Sequence, residues 1–458
     1  MSQLLAYNLP LLAHAFGQTY NLPVPLWLFL FGGAATVIVS FVLASLLVDV
    51  KNSLYDYPKR LIKILPPKGL QIVSTVAVIV YFFTIVAGVI GDQRFTHNIT
   101  PTLFWVVLLV GLAHLSVLVG NIWPFINPFW QIINWIESFA GKQFRPYRLY
   151  PERLRYLPAL ASYVVLAWIE LLSYGWGIVP LNLASLLAIY GLTTTIGVVL
   201  YGKAAWFRYG DFFSVFFSLF GRIAIFEYND NKVYLRPPFV GLLVGAKKSS
   251  IFLFFVLFML SSTAFDGLKE TTAYSSVTDW LARWPLVSNL DSRAIDTILL
   301  LAFPLAFFAA YWFCLWTMKQ IVKTKYSVMD LASRFSLALI PIAIAYSVAH
   351  YFTVLVIQGQ LMIQLISDPL GLGWNLFHTA TYSINAGIIN AATVWYIQLT
   401  LIIFGHVAAV YLAHITALRT FVTGQRVLTS QYPMLALMVV YTITSLWIIS
   451  QAIVSTSN

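Results

Sequence analysis

Long apolar runs separated by short polar segments fill most of this sequence. An α-helix needs about 20 residues to cross about 30 Å of hydrocarbon, and about ten runs approach that length. They lie roughly at residues 25–48, 70–91, 102–122, 157–176, 179–201, 249–266, 294–318, 331–357, 394–418 and 433–453. The pattern predicts an all-α fold, a polytopic transmembrane helix bundle of about ten spans, of which the sixth is the shortest.

Composition supports the same class of protein. Hydrophobic residues make up 60% of the chain and charged residues 9%, which leaves too little polar surface for a soluble globule. The net charge of +11 is spread over short loops, so membrane orientation explains it better than nucleic-acid binding. The single cysteine, Cys314, excludes an internal disulfide.

The distribution of Lys and Arg predicts the orientation, because these residues are retained in cytoplasmic loops. With both termini outside, all but four of the 27 basic residues fall inside. The exceptions are Arg94, Lys269, Arg283 and Arg293. No Lys or Arg precedes Lys51, so we expect residues 1–24 to be an external tail and not a cleaved signal peptide. The predicted location is the plasma membrane, with several passes.

The whole chain, 1–458, is predicted to be one integral membrane domain. Its expected segments are the outer tail 1–24, spans 1–3 at 25–122, an inner amphipathic segment at 123–156, spans 4–5 at 157–201, an inner basic segment at 202–248, spans 6–8 at 249–357, an outer cap at 358–393 and spans 9–10 at 394–453. No internal or inverted repeat is evident, which weakens a secondary-transporter interpretation.

Histidines inside the spans are the first candidates for chemistry, because polar groups at membrane depth are costly and usually paired or functional. His114 and His406 lie at similar depth in the third and ninth spans and are the candidate axial ligands of a b-type haem. Gly111 and Gly405 are expected to let a macrocycle approach. His350, near the outer end of the eighth span, is the further candidate for cofactor binding.

A divalent metal on the outer side is the alternative to haem. Its candidate ligands are His350, His14, Asp368 and His414, with Tyr351, Gln358, Gln360 and His378 as neighbours. Asp368 is followed by a proline and two glycines, so a turn is its other interpretation, and Asp266 followed by Gly267 is also predicted to form a turn. No HExxH, CxxC, P-loop or nucleophile-elbow motif is present. A chain without any cofactor is the third possibility.

The sequence resembles a family of bacterial membrane proteins known as fenitrothion hydrolase, over nearly its whole length. The matching stretches are AHAFG (13–17), LPVPLWLF (22–29), NPFW (127–130), YGKAAW (201–206), GDFFS (210–214), LRPP (235–238), TAFDG (263–267), AHYF (349–352), QGQ (358–360), SDPLG (367–371), WYIQ (395–398), GHV (405–407) and LAH (412–414). This resemblance implies hydrolysis of an organophosphate ester, and it assigns no catalytic residue here. His114 and His378 lie outside these stretches.

In size and hydrophobic character the chain also resembles the second subunit of the archaeal membrane-bound b-type cytochrome. That resemblance implies a respiratory subunit with membrane-bound cytochrome or iron–sulfur partners. A man-made pesticide cannot have shaped a housekeeping membrane protein. The sequence therefore predicts a membrane subunit of an electron-transfer complex that docks a redox partner at its outer face, and a metal-dependent organophosphate hydrolase is the alternative.

Overall fold

The computed structural model describes residues 21–48, 57–143, 145–244, 249–285, 287–421 and 424–453. Within these ranges the chain forms two compact units. Of the described residues, those within 21–48, 242–353 and 387–453 form unit 1, and those within 57–241 and 354–386 form unit 2. The predicted single membrane domain is thus built from two separately packed groups of helices.

The first half of the chain supplies α1 to unit 1 and most of unit 2. In order its elements are α1 (Leu26–Leu47), β1 (Arg60–Ile64), α2 (Pro67–Ile90), α3 (Ile99–Pro101), α4 (Leu112–Val119), α5 (Trp123–Ile126), α6 (Pro128–Ala140), α7 (Leu157–Leu172), α8 (Pro180–Tyr201), α9 (Lys203–Ala205), α10 (Phe212–Gly221), β2 (Phe226–Asn229) and β3 (Lys232–Leu235). A π-helix, Thr102–Gly111, joins α3 to α4, and a second, Trp206–Gly210, follows α9.

The second half supplies the remaining helices of unit 1 and returns once to unit 2. Its elements are α11 (Ser250–Lys269), α12 (Thr272–Ala282), α13 (Ser292–Val322), α14 (Val328–Phe335), α15 (Ile340–Ile357), α16 (Leu361–Ser367), α17 (Ala391–Thr420) and α18 (Gly424–Ile453). Short 3-10 turns at Ser336–Leu339 and Gln358–Gln360 make α14, α15 and α16 nearly continuous.

Nine helical stretches of the described residues are long and apolar enough to cross a membrane, which confirms the all-α polytopic bundle. They coincide with nine of the ten predicted spans. The predicted sixth span is α11, a helix of 20 residues. The predicted fourth span is α7, which has only 16 residues and is shorter than the others. The orientation of the termini stays a prediction.

Helix α11 forms the centre of unit 1. In the most apolar 18-residue stretch of α11, 83% of the residues are buried by protein, whereas the share in α1 is 22%. A run of Phe, Leu, Val and Met side chains fills the space between α11 and its neighbours α13, α14 and α18. Ser249 caps the amino end, with its hydroxyl oxygen accepting from the amide of Phe252. Polar side chains on α11 therefore lie inside a packed protein core and not against lipid.

Unit 2 contains a small antiparallel sheet with strand order β1–β3–β2. Arg236 stabilises one end of this sheet. Its guanidinium lies 3.0 Å from Oε2 of Glu227 and donates to the carbonyl oxygens of Gly221 and Ala224. Tyr57 and Lys59 donate to the same carboxylate of Glu227. The arrangement ties the chain segment before α2 to the hairpin that follows α10.

The predicted inner amphipathic helix corresponds to α6. Asn127 begins the helix by accepting from the amides of Phe129 and Trp130, and Gly141 ends it with φ 64°. Ile133 is buried, while Phe139 on another side of the helix is 92% exposed. An apolar side chain this exposed suits a helix that lies at a membrane surface.

Candidate functional site

A histidine and a carboxylate meet inside unit 1. Nε2 of His350, on α15, lies 2.8 Å from Oδ2 of Asp266, on α11. Both side chains are buried, with exposed fractions of 6% and 7%. Both helices belong to candidate membrane spans. Ionisable groups in such positions are rare, and they are retained where they pair or carry function.

A glycine lets the two helices approach at this point. A Cβ atom on Gly267 would lie 3.1 Å from the hydroxyl of Tyr346, 3.7 Å from Cε1 of His350 and 2.7 Å from a methyl group of Ile448. Any larger residue would push α11 away from α15 and α18. Gly267 thus brings the preceding residue, Asp266, within hydrogen-bond distance of His350.

Two side chains that pack close to His350 each carry a buried polar atom with no partner among the described residues. The ring of Tyr346 stacks on His350 at a centroid distance of 6.2 Å, and the Tyr346 hydroxyl has no hydrogen-bond partner among the described residues. Gln398 donates to the carbonyl of Ala349, beside His350, but its Oε1 has no partner in the described part of the chain. Buried groups of this kind are normally satisfied by ordered water or by a ligand.

A second buried carboxylate, that of Asp296 on α13, lies beside the carboxyl end of α11. Asp296 accepts from the hydroxyl of Tyr274 at 2.6 Å, and its other oxygen lies 3.2 Å from Nζ of Lys269. Lys269 follows Asp266 by three residues, about one helical turn. Unit 1 thus carries two buried carboxyl groups near the carboxyl end of α11. Asp266 is paired with an imidazole, and Asp296 is paired with an ammonium group.

His406 and His414, both in unit 1, each have one ring nitrogen in a hydrogen bond and one without a partner among the described residues. Nδ1 of His406 donates to the carbonyl of Ile402 at 2.8 Å, and Nδ1 of His414 donates to Oε1 of Gln431 at 3.0 Å. Nε2 of each ring is buried and has no partner among the described residues. A ring that donates through Nδ1 and keeps the Nε2 lone pair is in the tautomer that binds haem iron or another metal.

Of the two glycines that were expected to admit a macrocycle, Gly405 packs against another helix, and the expectation for Gly111 stays a prediction. A Cβ atom on Gly405 would lie 2.3 Å from Cβ of Ala345 and 2.9 Å from the carbonyl oxygen of Pro341, so the space beside Gly405 is filled by α15. The expectation for Gly405 was therefore wrong, because the glycine serves helix packing. His114 belongs to unit 2, where Nδ1 bonds to the carbonyl of Val110. Haem ligation by His114 and His406 stays a prediction.

The outer metal site also stays a prediction. Asp368 lies in unit 2 and accepts from the amides of Leu372 and Gly373 with both carboxylate oxygens, which matches its interpretation as a turn residue. His378 is exposed in the same segment, and His14 lies outside the described residues. In the described ranges no group of three or more His, Cys, Asp or Glu side chains is arranged to hold a metal ion.

Asp266 is the residue that sequence reasoning missed. With Gly267 it was expected to form a turn, but the helix continues through both residues to Lys269. The available signal was an acidic residue inside a long apolar run. Lys269 and Asp296 were missed because neither belongs to a motif, and their pairing depends on how α11 packs against α13.

No family model, curated protein or solved structure matches the chain.

Proposed function

We propose that this chain is an integral membrane subunit of a respiratory electron-transfer complex and that its His350–Asp266 pair carries a proton that accompanies electron transfer. The single observation behind the proton role is the 2.8 Å contact between these two side chains in the core of unit 1. The respiratory assignment draws on the resemblance of the sequence to the second subunit of the archaeal b-type cytochrome. Cytochrome or iron–sulfur partners would supply the redox centres.

The pair suits a proton carrier for a physical reason. An isolated charge at the centre of a spanning helix costs about 2.5–3.5 kcal/mol, and a carboxylate beside an imidazole reduces that cost by its opposite charge once the ring is protonated. Electron movement through a low-dielectric medium is easier when a proton compensates the charge. The hydroxyl of Tyr346 and Oε1 of Gln398 offer a donor and an acceptor through which water could connect the pair to its surroundings.

A bound haem would be an addition to this role. Of the two candidate axial ligands, His406 has the fitting donor chemistry, since its Nδ1 donates to the carbonyl of Ile402 and its buried Nε2 has no partner in the described residues. A haem would supply one-electron redox chemistry. The proton role of His350 does not depend on it.

The organophosphate hydrolase is the weaker proposal. It needs a metal with an open position for water, and the two carboxylate oxygens of Asp368 are already used within their own loop. His350 is paired with Asp266 in unit 1. The support for hydrolysis is therefore the sequence resemblance alone.

The test expresses variants of this protein in cells from which the gene for the wild-type protein has been deleted. His350→Gln keeps a donor near the position of Nε2 but cannot carry a proton, and His378→Gln is the matched control in an exposed loop. Oxygen uptake by isolated membranes, driven by a reduced quinone analogue, is measured at equal amounts of chain. We expect His350→Gln to lower the rate at least about tenfold, as for loss of a proton-transfer group, and the control to leave it unchanged.

Two results would count against separate parts of the proposal. Undiminished oxygen uptake in the deletion strain would contradict membership of the electron-transfer complex. Loss of uptake on deletion, combined with full activity of His350→Gln, would contradict only the proton role.

A further inference from the structure

Unit 2 contains a large apolar groove beside α2, here called the α2 groove. Its volume is about 780 Å³, and its walls come from α2, the π-helix and α4, the chain around α5, and the turn that precedes α16. Val76, Val80, Val107, Leu115 and Gly359 are representative lining residues. This volume is within the range of sites that hold a small organic ligand.

The walls of the α2 groove offer no polar recognition. The hydroxyl of Tyr81 donates to the carbonyl of Leu187, and the indole N–H of Trp123, also in the lining, donates to the hydroxyl of Ser214. The hydroxyl of Thr84 donates to the carbonyl of Val80. Because these groups are satisfied within the protein, a ligand in the groove gains contact with hydrocarbon and no hydrogen bond from them.

The α2 groove opens sideways along membrane-spanning helices. Both Pro67–Ile90 and Ile99–Val119 are candidate spans. Lining residues on the two walls are partly exposed, including Ile72 at 65%, Val76 at 52% and Val107 at 41%. A groove that opens from the side of a span faces lipid chains, and a lipid chain is the apolar molecule at highest local concentration there.

Basic residues precede the groove-lining part of α2 in the chain. Lys68 lies in the first turn of α2, one turn before the lining residue Ile72, and it is exposed. Lys63 and Arg60, on strand β1, which directly precedes α2 in the chain, are also exposed. Lys and Arg clusters next to a spanning helix attract anionic lipid headgroups. The lining of the groove itself contains no charged residue.

We infer that the α2 groove binds one hydrocarbon chain of an anionic phospholipid, with its phosphate at the Lys68 end. The chain fills the apolar space between α2 and the third span, and the headgroup pairs with Lys68 and Lys63. This site is independent of the His350–Asp266 pair and of the respiratory assignment.

The test is native mass spectrometry of the full chain released from nanodiscs that contain equal amounts of phosphatidylglycerol and phosphatidylcholine. Val76→Trp fills the α2 groove, and Ile79→Trp is the control, because Ile79 is 61% exposed on the same helix but does not line the groove. We expect the wild type and Ile79→Trp to retain one phosphatidylglycerol, and Val76→Trp to retain at least about tenfold less.

Two further variants keep the result interpretable. Gly359→Leu also fills the groove, and it should fold, because a Cβ atom there meets only a methyl group of Val106 at 3.9 Å. The double variant Lys63→Gln, Lys68→Gln should retain a lipid but lose the preference for phosphatidylglycerol. Equal retention by wild type, Val76→Trp and Gly359→Leu would overturn the site. A retained quinone in place of phospholipid, or no retained lipid in the wild type, would overturn the assigned occupant.

Discussion

Nε2 of His350 lies 2.8 Å from Oδ2 of Asp266, in a hydrogen bond that joins residues 84 positions apart in the sequence. The bond connects the most buried span of unit 1, α11, to α15. It places a titratable pair where the surrounding helices exclude most water, since both side chains are buried. The stability of unit 1 and its proposed chemistry both depend on this pair.

Replacing both members of the His350–Asp266 pair should cost less stability than the two single replacements added together. Asp266→Leu leaves the His350 ring without its acceptor and should lower the free energy of unfolding by about 1–3 kcal/mol. His350→Leu should have a similar effect, because it removes the imidazole that contacts the buried Asp266 carboxylate. The double variant should be less destabilised than the sum, since each single variant already loses the contact between the two side chains. Chemical denaturation in detergent measures all three; strictly additive losses would show that the contact contributes nothing.

The close approach of α15 and α17 should make Gly405 intolerant of a side chain. A Cβ atom there would lie 2.3 Å from Cβ of Ala345, so Gly405→Ala should destabilise unit 1 by about 1–3 kcal/mol. Gly32→Ala, on α1, is the matched control, because nothing lies within 4 Å of its Cβ position. That control should be neutral or stabilising, as expected from helix propensity. Thermal unfolding of both variants provides the comparison, and equal melting temperatures would contradict it.

The carboxylate of Glu227 should make unit 2 sensitive to acid. Burial alone raises its pKa, but the hydrogen bonds from Tyr57 and Lys59 and the charge of Arg236 outweigh burial, so the pKa lies below its ordinary value. A carboxyl group with a lowered pKa in the folded state stabilises the fold above its unfolded pKa, and that contribution is lost as the pH falls through the folded pKa.

Glu227→Gln should therefore lower the melting temperature near neutral pH and flatten its decline below about pH 4, the ordinary range for Glu. Melting curves of wild type and variant over that range measure the effect. Parallel curves would mean that the Glu227 carboxylate is not linked to folding.

His406 offers a test that separates packing from cofactor binding. Its Nε2 has no partner among the described residues, and an unsatisfied buried polar atom costs about 1–3 kcal/mol. If the ring only packs, His406→Leu should keep or raise the melting temperature. The oxidised and dithionite-reduced absorption spectra of the purified chain are recorded in parallel. A Soret band that His406→Leu removes would instead identify Nε2 as a haem ligand.

Hydrophobic periodicity was enough to predict the spans but not their partners. Long apolar runs define α2 or α8 without any tertiary information, because the bilayer itself requires that length. The hairpin of β2 and β3 was missed, although Asp230 and Asn231 between two alternating segments are a recognisable turn signal. The length of the apolar run at 157–176 also did not reveal that the helix there, α7, has only 16 residues.

The site was harder to predict, because its geometry depends on helix packing. His350 was identified as a candidate from its depth in a span, but its partner, Asp266, was assigned to a turn because the Asp–Gly pair commonly breaks a helix. Inside unit 1 the tightly packed neighbours hold α11 helical through Gly267. Similarly, Gly405 suits either a macrocycle or a helix contact, and only the position of α15 decides between them.

The enclosure of α11 also sets an order for biosynthesis. Asp266 is made 84 residues before His350, so on a ribosome at the membrane its carboxyl group reaches the insertion machinery well before its partner exists. The helix that ends up most enclosed by protein must therefore wait beside the translocon, or enter lipid with a protonated carboxyl, until α15 arrives. Completion of unit 1 is thus tied to synthesis of the eighth predicted span, and nascent chains truncated before His350 should be substrates for membrane quality-control proteases.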